Sequence, residues 1–252
     1  MKFKLSILFS VFVFFISCKK DTAASFSSET ISEIFNGNCK SETCPEVALD
    51  YVVVKGKKTV AKKINNSIED YIINSLELGD SISQKSKTIA DAANNFLINY
   101  EKDKAEFPDI ISEYFAEISV CQTYTSNTLF SYELQQYMFT GGAHGYGSIT
   151  FLNVDPSNGE NLSTKEIFKN EKEFRDFAEN VFKKEFNISA DESINSSGFW
   201  FENDTFYLPE TIGFNEEEVI ILYNQYEIAS YASGPIELMI PIDDVLPFMV
   251  TN

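Results

Sequence analysis

Apolar and polar positions change period repeatedly along the chain, and each change predicts an element. Val47, Leu49, Tyr51 and Val53 alternate with other residues, which predicts a strand ended by Gly56-Lys57. Val60, Ile64, Ile68, Tyr71 and Ile72 then recur at helical spacing against Lys62, Lys63, Glu69 and Asp70, predicting an amphipathic helix over about 58–76. A second helical pattern (Ile89, Ala93, Phe96, Leu97, Tyr100) runs over about 88–107 until Pro108 stops it. After Asp109 the period falls to two. Tyr114, Ala116, Ile118 and Val120, then Phe130, Tyr132, Leu134 and Met138, alternate on either side of Thr125-Ser126-Asn127, as an antiparallel hairpin does.

A third strand over about 147–154 leads into the turn Asp155-Pro156-Ser157-Asn158-Gly159. Ser163 with Glu166 fits a capping box for a short helix through Ile167-Phe168. Phe174, Phe177, Ala178, Val181 and Phe182 mark another helix over about 171–186. Short strands are expected around 199–201, 205–208, 219–224, 226–229 and 236–241, before a last short helix ending near Phe248. Strands and helices in separate runs predict an α+β fold of two small α/β subdomains, with antiparallel sheets and packed helices. The division expected is 45–140 and 141–252.

The first residues belong to no such domain. Lys2 and Lys4 precede an apolar run from Leu5 to Ile16, which at about 1.5 Å per residue is too short to cross a bilayer core of roughly 30 Å. Residues 1–17 read as a secretory leader. Phe15-Ile16-Ser17-Cys18 resembles a bacterial lipobox, with Phe15 in place of the usual Leu, and would make Cys18 the lipidated residue. An uncleaved anchor, or an ordinary leader with an incidental Cys, is the other reading. Lys19-Lys20, rather than Asp, after the Cys points to the outer membrane of a bacterial cell envelope. Residues 18–44 then read as the lipidated Cys and a polar, Ser/Thr-rich tether.

Export places the remaining thiols in an oxidising compartment, where a small loop closed by a Cys39–Cys44 disulfide is plausible. Cys121, in a β-like run, reads as a small buried apolar residue. One His and three thiols at these spacings match no zinc pattern, and no metal or other cofactor is expected.

Charge narrows the partners. With 38 Asp and Glu against 20 Lys and Arg the formal charge is −18, which excludes general nucleic-acid binding for want of a basic face. It also argues against electrostatic docking on anionic lipid, leaving the lipid as the membrane contact. From residue 185 to the end there are thirteen acidic residues and not one Lys or Arg. Such a run is either a solvated, solubilising surface or a face that steers a cationic partner. Glu216-Glu217-Glu218 lacks the oxygen-rich spacing of a calcium loop.

Three segments carry a resemblance. They are Thr140-Gly141-Gly142-Ala143-His144-Gly145-Tyr146, the stretch Asn153 to Phe168, and Tyr226-Glu227-Ile228-Ala229-Ser230-Tyr231-Ala232-Ser233-Gly234-Pro235. In this order they resemble the extracellular domain family shared by the lysozyme-sensing anti-sigma factor RsiV and the non-catalytic part of the peptidoglycan deacetylase PdaC, over roughly 45–250. The resemblance implies a binding domain whose partner in the anti-sigma factor is lysozyme, a small and very basic protein. That factor's signalling needs a cytoplasmic sigma-binding segment and a spanning helix, and the deacetylase needs a separate metal-binding domain. Neither activity is carried over.

Residue by residue, Gly141, Gly142, Gly145 and Gly147 permit positive φ or close backbone approach around His144. The His is a structural hydrogen-bonder, a ligand contact, or a general base. Ser148 is close by, but Gly145-Tyr146-Gly147-Ser148-Ile149 lacks the last Gly of a nucleophile elbow. Tyr226 and Tyr231 read either as core aromatics or as binding residues, and Trp200, beside Phe199 and Phe201, as core ahead of a sugar platform. The expectation is a lipid-anchored envelope protein that binds a cationic, lysozyme-like protein or peptidoglycan fragments. A small hydrolase using His144 as base is its rival, and an inert envelope scaffold a third possibility.

Overall fold

In the computed structural model, which describes residues 26–37, 44–79, 86–108 and 112–250, the predicted helices wrap one face of a mixed sheet. The leader, Cys18 and Cys39 lie outside the described residues, and with them the lipobox and the Cys39–Cys44 bridge. The sheet has the order β1-β2-β3-β4-β5, formed by β1 (Ser27–Phe35), β2 (Glu46–Lys55), β3 (Phe115–Thr125), β4 (Phe130–Phe139) and β5 (Tyr146–Val154). Every neighbouring pair is antiparallel except β2 and β3. That parallel pair needs a long crossover, which α1 (Lys58–Leu76) and α2 (Ile89–Glu106) supply.

Each helix meets the sheet along the stripe its sequence encodes. Val60, Ile64, Ile68 and Ile72 are each no more than 1% exposed, one turn apart on α1. Ala93, Phe96 and Tyr100, each no more than 2% exposed, line α2, whose first turn is capped by Thr88 Oγ1 accepting from the Asp91 amide at 3.1 Å. Val47, Leu49, Ala116, Ile118, Tyr132 and Leu134 close this aliphatic core from the strands.

A second core lies under a smaller antiparallel sheet of order β6-β7-β8, from β6 (Gly213–Phe214), β7 (Glu218–Tyr223) and β8 (Ile236–Pro241). The short α3 (Thr164–Ile167) opens where expected, with the Glu166 carboxylate accepting from the Ser163 amide and hydroxyl at 2.9 and 2.7 Å. These bonds hold the Glu166 pKa below its ordinary value. α4 (Glu171–Glu185) drives Phe174, Ala178 and Phe182 into the core, and α5 (Ile242–Val245) adds Val245. This core is aromatic. The Phe182 ring lies 4.4–5.5 Å from those of Phe186, Phe199, Phe201 and Phe206, centroid to centroid.

The structure corrects the sequence reading in several places. Residues 27–35 are a strand rather than part of a tether. Their polar composition suits an edge strand, with Ile31 and Phe35 touching the core while Ser32–Asp50 and Glu29–Lys55 pair on the outside. β5 pairs with β4, so the first sheet runs to Val154, past the expected division at 140/141. Segments 199–201 and 205–208 form no β-ladder, although Trp200 N–H donates to Ile228 C=O at 3.0 Å. Asn195 takes the place of a neighbouring strand: its Oδ1 accepts from Phe201 N–H at 2.7 Å and its Nδ2 donates to Phe201 C=O at 3.0 Å. Segment 226–229 is a turn, and the two-residue β6 was hidden in a loop pattern. Cys121 is exposed on β3, its thiol pushed up by partial burial and by Glu133 beside it. Trp200 is 47% exposed rather than core.

The two cores meet on the face of the first sheet opposite α1 and α2. Phe151 packs on Ile220 and Leu222, and Gly213 has no room for a side chain because a Cβ there would sit 2.3 Å from the Phe151 ring. The outer edge of β5 is covered by side chains rather than by a strand. Asn224 bonds both Ile149 N–H (2.8 Å) and Ile149 C=O (2.9 Å), Thr211 Oγ1 accepts from Phe151 N–H, and Asn153 Nδ2 donates to Ile212 C=O.

Candidate ligand-binding surface

Where the cores join, two distant segments of sequence meet. The loop between β4 and β5 contains Gly141 and Gly142, with φ of +91° and +93°, a region that favours glycine. Gly145 and Gly147 are needed for a different reason. A Cβ on Gly145 would sit 2.5 Å from Tyr137 Oη, and one on Gly147 3.2 Å from the Tyr137 ring. Tyr137 therefore lies over the two glycines, and the loop presents His144 outward.

The His144 ring stacks on Tyr231 at 4.3 Å with an interplanar angle of 26°. Tyr231 in turn stands 5.4 Å from Tyr226, and its hydroxyl donates to Gly145 C=O at 3.3 Å. His144 Nδ1 lies 3.0 Å from the same carbonyl. The three rings make a ladder on the surface, with Tyr226 56% exposed. Tyr226 is held in the left-handed region (φ +69°), which turns its ring out of the core. Trp200 borders the ladder through Nε1, which donates to Glu227 C=O at 3.2 Å. On the other side Tyr137 continues into Phe115 (5.5 Å), which stacks on Phe139 (6.1 Å).

Of the acids in this region, Glu227 lies in the turn beside Tyr226, and the others stand further along the strands. Burial pushes the Glu227 pKa up, although its carboxylate accepts from the Asn224 amide at 3.0 Å. Glu133 on β4 is raised by burial and by the charge of Glu237 on β8. Glu216, Glu217 and Glu218 neighbour Asp243 and Asp244 at the opposite end of the β7–β8 hairpin, where Ile242 N–H donates to Glu217 C=O. Among the described residues, none of the acids from 185 onward makes an ion pair.

The structure thus brings His144, Gly145, Tyr226 and Tyr231 into one place, with Gly141 and Gly142 shaping the loop. The described partners of His144 are a carbonyl and a ring, not a carboxylate, and Ser148 Oγ accepts from Gln136 Nε2 at 2.9 Å instead of facing the imidazole. Among the described residues no group of three or more His, Cys, Asp or Glu side chains could hold a metal ion, and no helix is long and apolar enough to cross a membrane. Sequence reasoning missed Tyr137, Phe115 and Trp200. For the first two the signal was present: both occupy the strand positions opposite the apolar alternation, where an aromatic is out of place on a solvated face.

Comparison with known proteins agrees with this architecture. Residues 38–146 match the family model described as Deacetylase PdaC, and residues 165–243 match that described as a protein of unknown function (DUF3298). A solved member of the DUF3298 family from Bacteroides fragilis superposes with a TM-score of 0.70 at 20% identity, over 91% of this chain and 95% of that one. A DUF3298 family protein from Pseudomonas aeruginosa gives 0.63 at 18% identity, over 90% and 95%. At these identities the likeness shows the shared α+β fold. No curated protein matches.

Proposed function

We propose that this chain, whose two regions carry the PdaC-type and DUF3298-type sequence of one cell-envelope-associated domain family, captures a basic protein of the lysozyme kind at the bacterial cell surface. The observation that carries this reading is the exposed His144–Tyr231–Tyr226 ladder in a part of the chain with no Lys or Arg. Tyrosine rings offer large, rigid contact area at low entropic cost, and their faces attract Lys and Arg side chains. The carboxylates of the same region, in ion pairs with no base among the described residues, steer a cationic partner and set the salt dependence of its capture. The partner's area would come from the rings and its selectivity from the charge.

Lipidation at Cys18, outer-membrane attachment and the Cys39–Cys44 disulfide belong to the same proposal and are supported by the leader and the thiol spacing. Mass spectrometry of the protein purified from separated outer membranes tests all three: acylated Cys18 and a linked 39–44 peptide are expected in that fraction.

The decisive measurement is capture of a lysozyme by the exported chain at low and at physiological salt. Binding at low salt that weakens as salt rises is expected. Replacing Tyr226 and Tyr231 together by Ala should weaken it more than tenfold, since tyrosines that become buried at the centre of an interface each contribute about 2 kcal/mol or more. Failure to retain any basic protein at low salt would end the proposal.

A further inference from the structure

The net charge that argues against docking on anionic lipid is an average over an uneven surface. Five of the twenty Lys and Arg fall within nine positions, Lys55, Lys57, Lys58, Lys62 and Lys63, with no Asp or Glu among them. All five are exposed, gathered where β2 ends and α1 begins. The helix gains nothing from them. Lys57 stands at its N-cap without a side-chain bond, and its first turn holds no acid, although the positive end of the macrodipole favours one. Thr88 and Asn170 cap α2 and α4 at that position, so the lysines point to a use outside the helix. Lys55 pairs with Glu29 and Lys63 with Glu160. Asp155, in the turn whose Gly159 packs on α1, accepts instead from Ser157 N–H and Asn158 Nδ2. Lys57, Lys58 and Lys62 are in no ion pair among the described residues. The acids of the second core lie across the sheet, on the face opposite α1.

The route to the membrane leads to the same corner. Phe26 lies on Gly56, between two of the lysines, since a Cβ on Gly56 would sit 2.7 Å from the Phe26 ring, and Ser27 pairs with Lys55. Cys18 precedes Phe26 by eight positions, a reach of at most about 29 Å. We infer that the lysine cluster rests on the anionic phospholipid headgroups of the membrane that holds the lipid of Cys18, an inference that relies on the lipidation proposed above. The lipid supplies attachment, and the lysines supply orientation. The ladder then faces away from the membrane. Its loop follows Phe139, which pairs with Phe115 at the other end of the sheet. Strands of nine to eleven residues, at about 3.3 Å per residue, separate the two ends by roughly 30 Å. A cationic partner therefore meets the rings well away from the lysines that would repel it.

The exported chain, carrying an N-terminal polyhistidine tag in place of the lipid, is tethered to nickel-chelating vesicles of phosphatidylcholine, with or without phosphatidylglycerol. Lysine acetylation is followed residue by residue by mass spectrometry. Lys57, Lys58 and Lys62 should react at least about fivefold more slowly on the phosphatidylglycerol vesicles, and the difference should vanish at about 1 M salt. Lys102, exposed on α2 next to the Asp103 that Tyr114 Oη bonds at the other end of the sheet, should react alike on both. Lys57→Gln, Lys58→Gln and Lys62→Gln in one chain should bring Lys55 and Lys63 to their rates on neutral vesicles. Equal rates on the two vesicles, or slowing of Lys102 instead, overturn the docking. An unmodified Cys18 in the native protein overturns the tether instead, a failure that mass spectrometry reads separately, and neither result alters lysozyme capture measured without vesicles.

Discussion

The two cores of this molecule solve the same problem with different materials. The first is mainly aliphatic, with a few rings such as Phe96, Tyr100 and Tyr132, and built on a hydrogen-bonded framework: Val60, Ile64, Ile68 and Ile72 lie against a five-stranded sheet whose backbone groups satisfy one another. The second is aromatic and has few strands. Phe182 holds five rings around it, counting Tyr223 at 6.4 Å, and the backbone of that region is satisfied by side chains such as Asn195 and by Tyr223 Oη donating to Tyr207 C=O. Large rings bury enough area to fix irregular segments without a ladder. Loops so fixed are free to carry a binding surface, and the candidate surface forms where they meet the first sheet. The charge follows the same division: all twenty Lys and Arg precede residue 185.

Phe182→Ala puts that contrast to its hardest test. Removing the central ring should cost about 3–5 kcal/mol, against about 0.5–1.5 kcal/mol for Ile64→Val in the aliphatic core, measured by denaturant unfolding. Similar losses for the two would mean that Phe182 does not organise the second core.

Gly213→Ala addresses the junction. A methyl group driven into Phe151 should destabilise by about 1–3 kcal/mol and, if the cores unfold together, shift a single transition. Two separated transitions would show that the cores are independent. Asn195→Ala leaves Phe201 N–H without a partner, while Phe201 C=O keeps its bond from Asp204 N–H, and should cost about 1–3 kcal/mol, with a drop in amide-exchange protection confined to the loops of the second core. Protection lost equally in α1 would deny that confinement.

Smaller effects sharpen the functional side of the comparison. His144→Ala removes one rung of the ladder, worth about 0.5–1.5 kcal/mol, so capture of the basic partner should weaken roughly two- to tenfold. Near-total loss of a hydrolytic turnover would instead revive the rival reading of His144 as a base. Glu133→Gln should do two opposite things. The Glu133 pKa is raised, so the folded state holds its proton more tightly than the unfolded chain does, and stability falls as pH rises from the ordinary carboxylate range through the raised value. The neutral variant should lose that fall and be slightly more stable at neutral pH, while binding the cationic partner more weakly. A variant less stable at neutral pH would contradict the assigned cause.

Much of this was legible beforehand, and the exceptions share a cause. The helices and β2 through β5 announce themselves because burial on one face imposes a period of 3.6 or 2 on the residues. β1 was concealed because an edge strand buries so little that Ser, Thr and Glu serve it well. Phe199–Phe201 and Thr205–Leu208 imitate strands because aromatic residues are favoured both in ladders and in aromatic cores, and composition does not distinguish the two. Cys121 and Trp200 were assigned inward on hydrophobicity alone, whereas the side of the strand and the packing of the loop turn them outward.

For the surface, local sequence determined the ingredients: a glycine-rich loop around one His, a Tyr-rich segment, and a long stretch devoid of positive charge. These depend only on residue type and near neighbours. That His144 would stack on Tyr231, eighty-seven positions later, and that Tyr137 would need the space of Gly145 and Gly147 were decided by tertiary packing alone. Contacts of that range arise only once two cores are pressed together along β5, and no periodicity in one segment records which distant segment will lie against it.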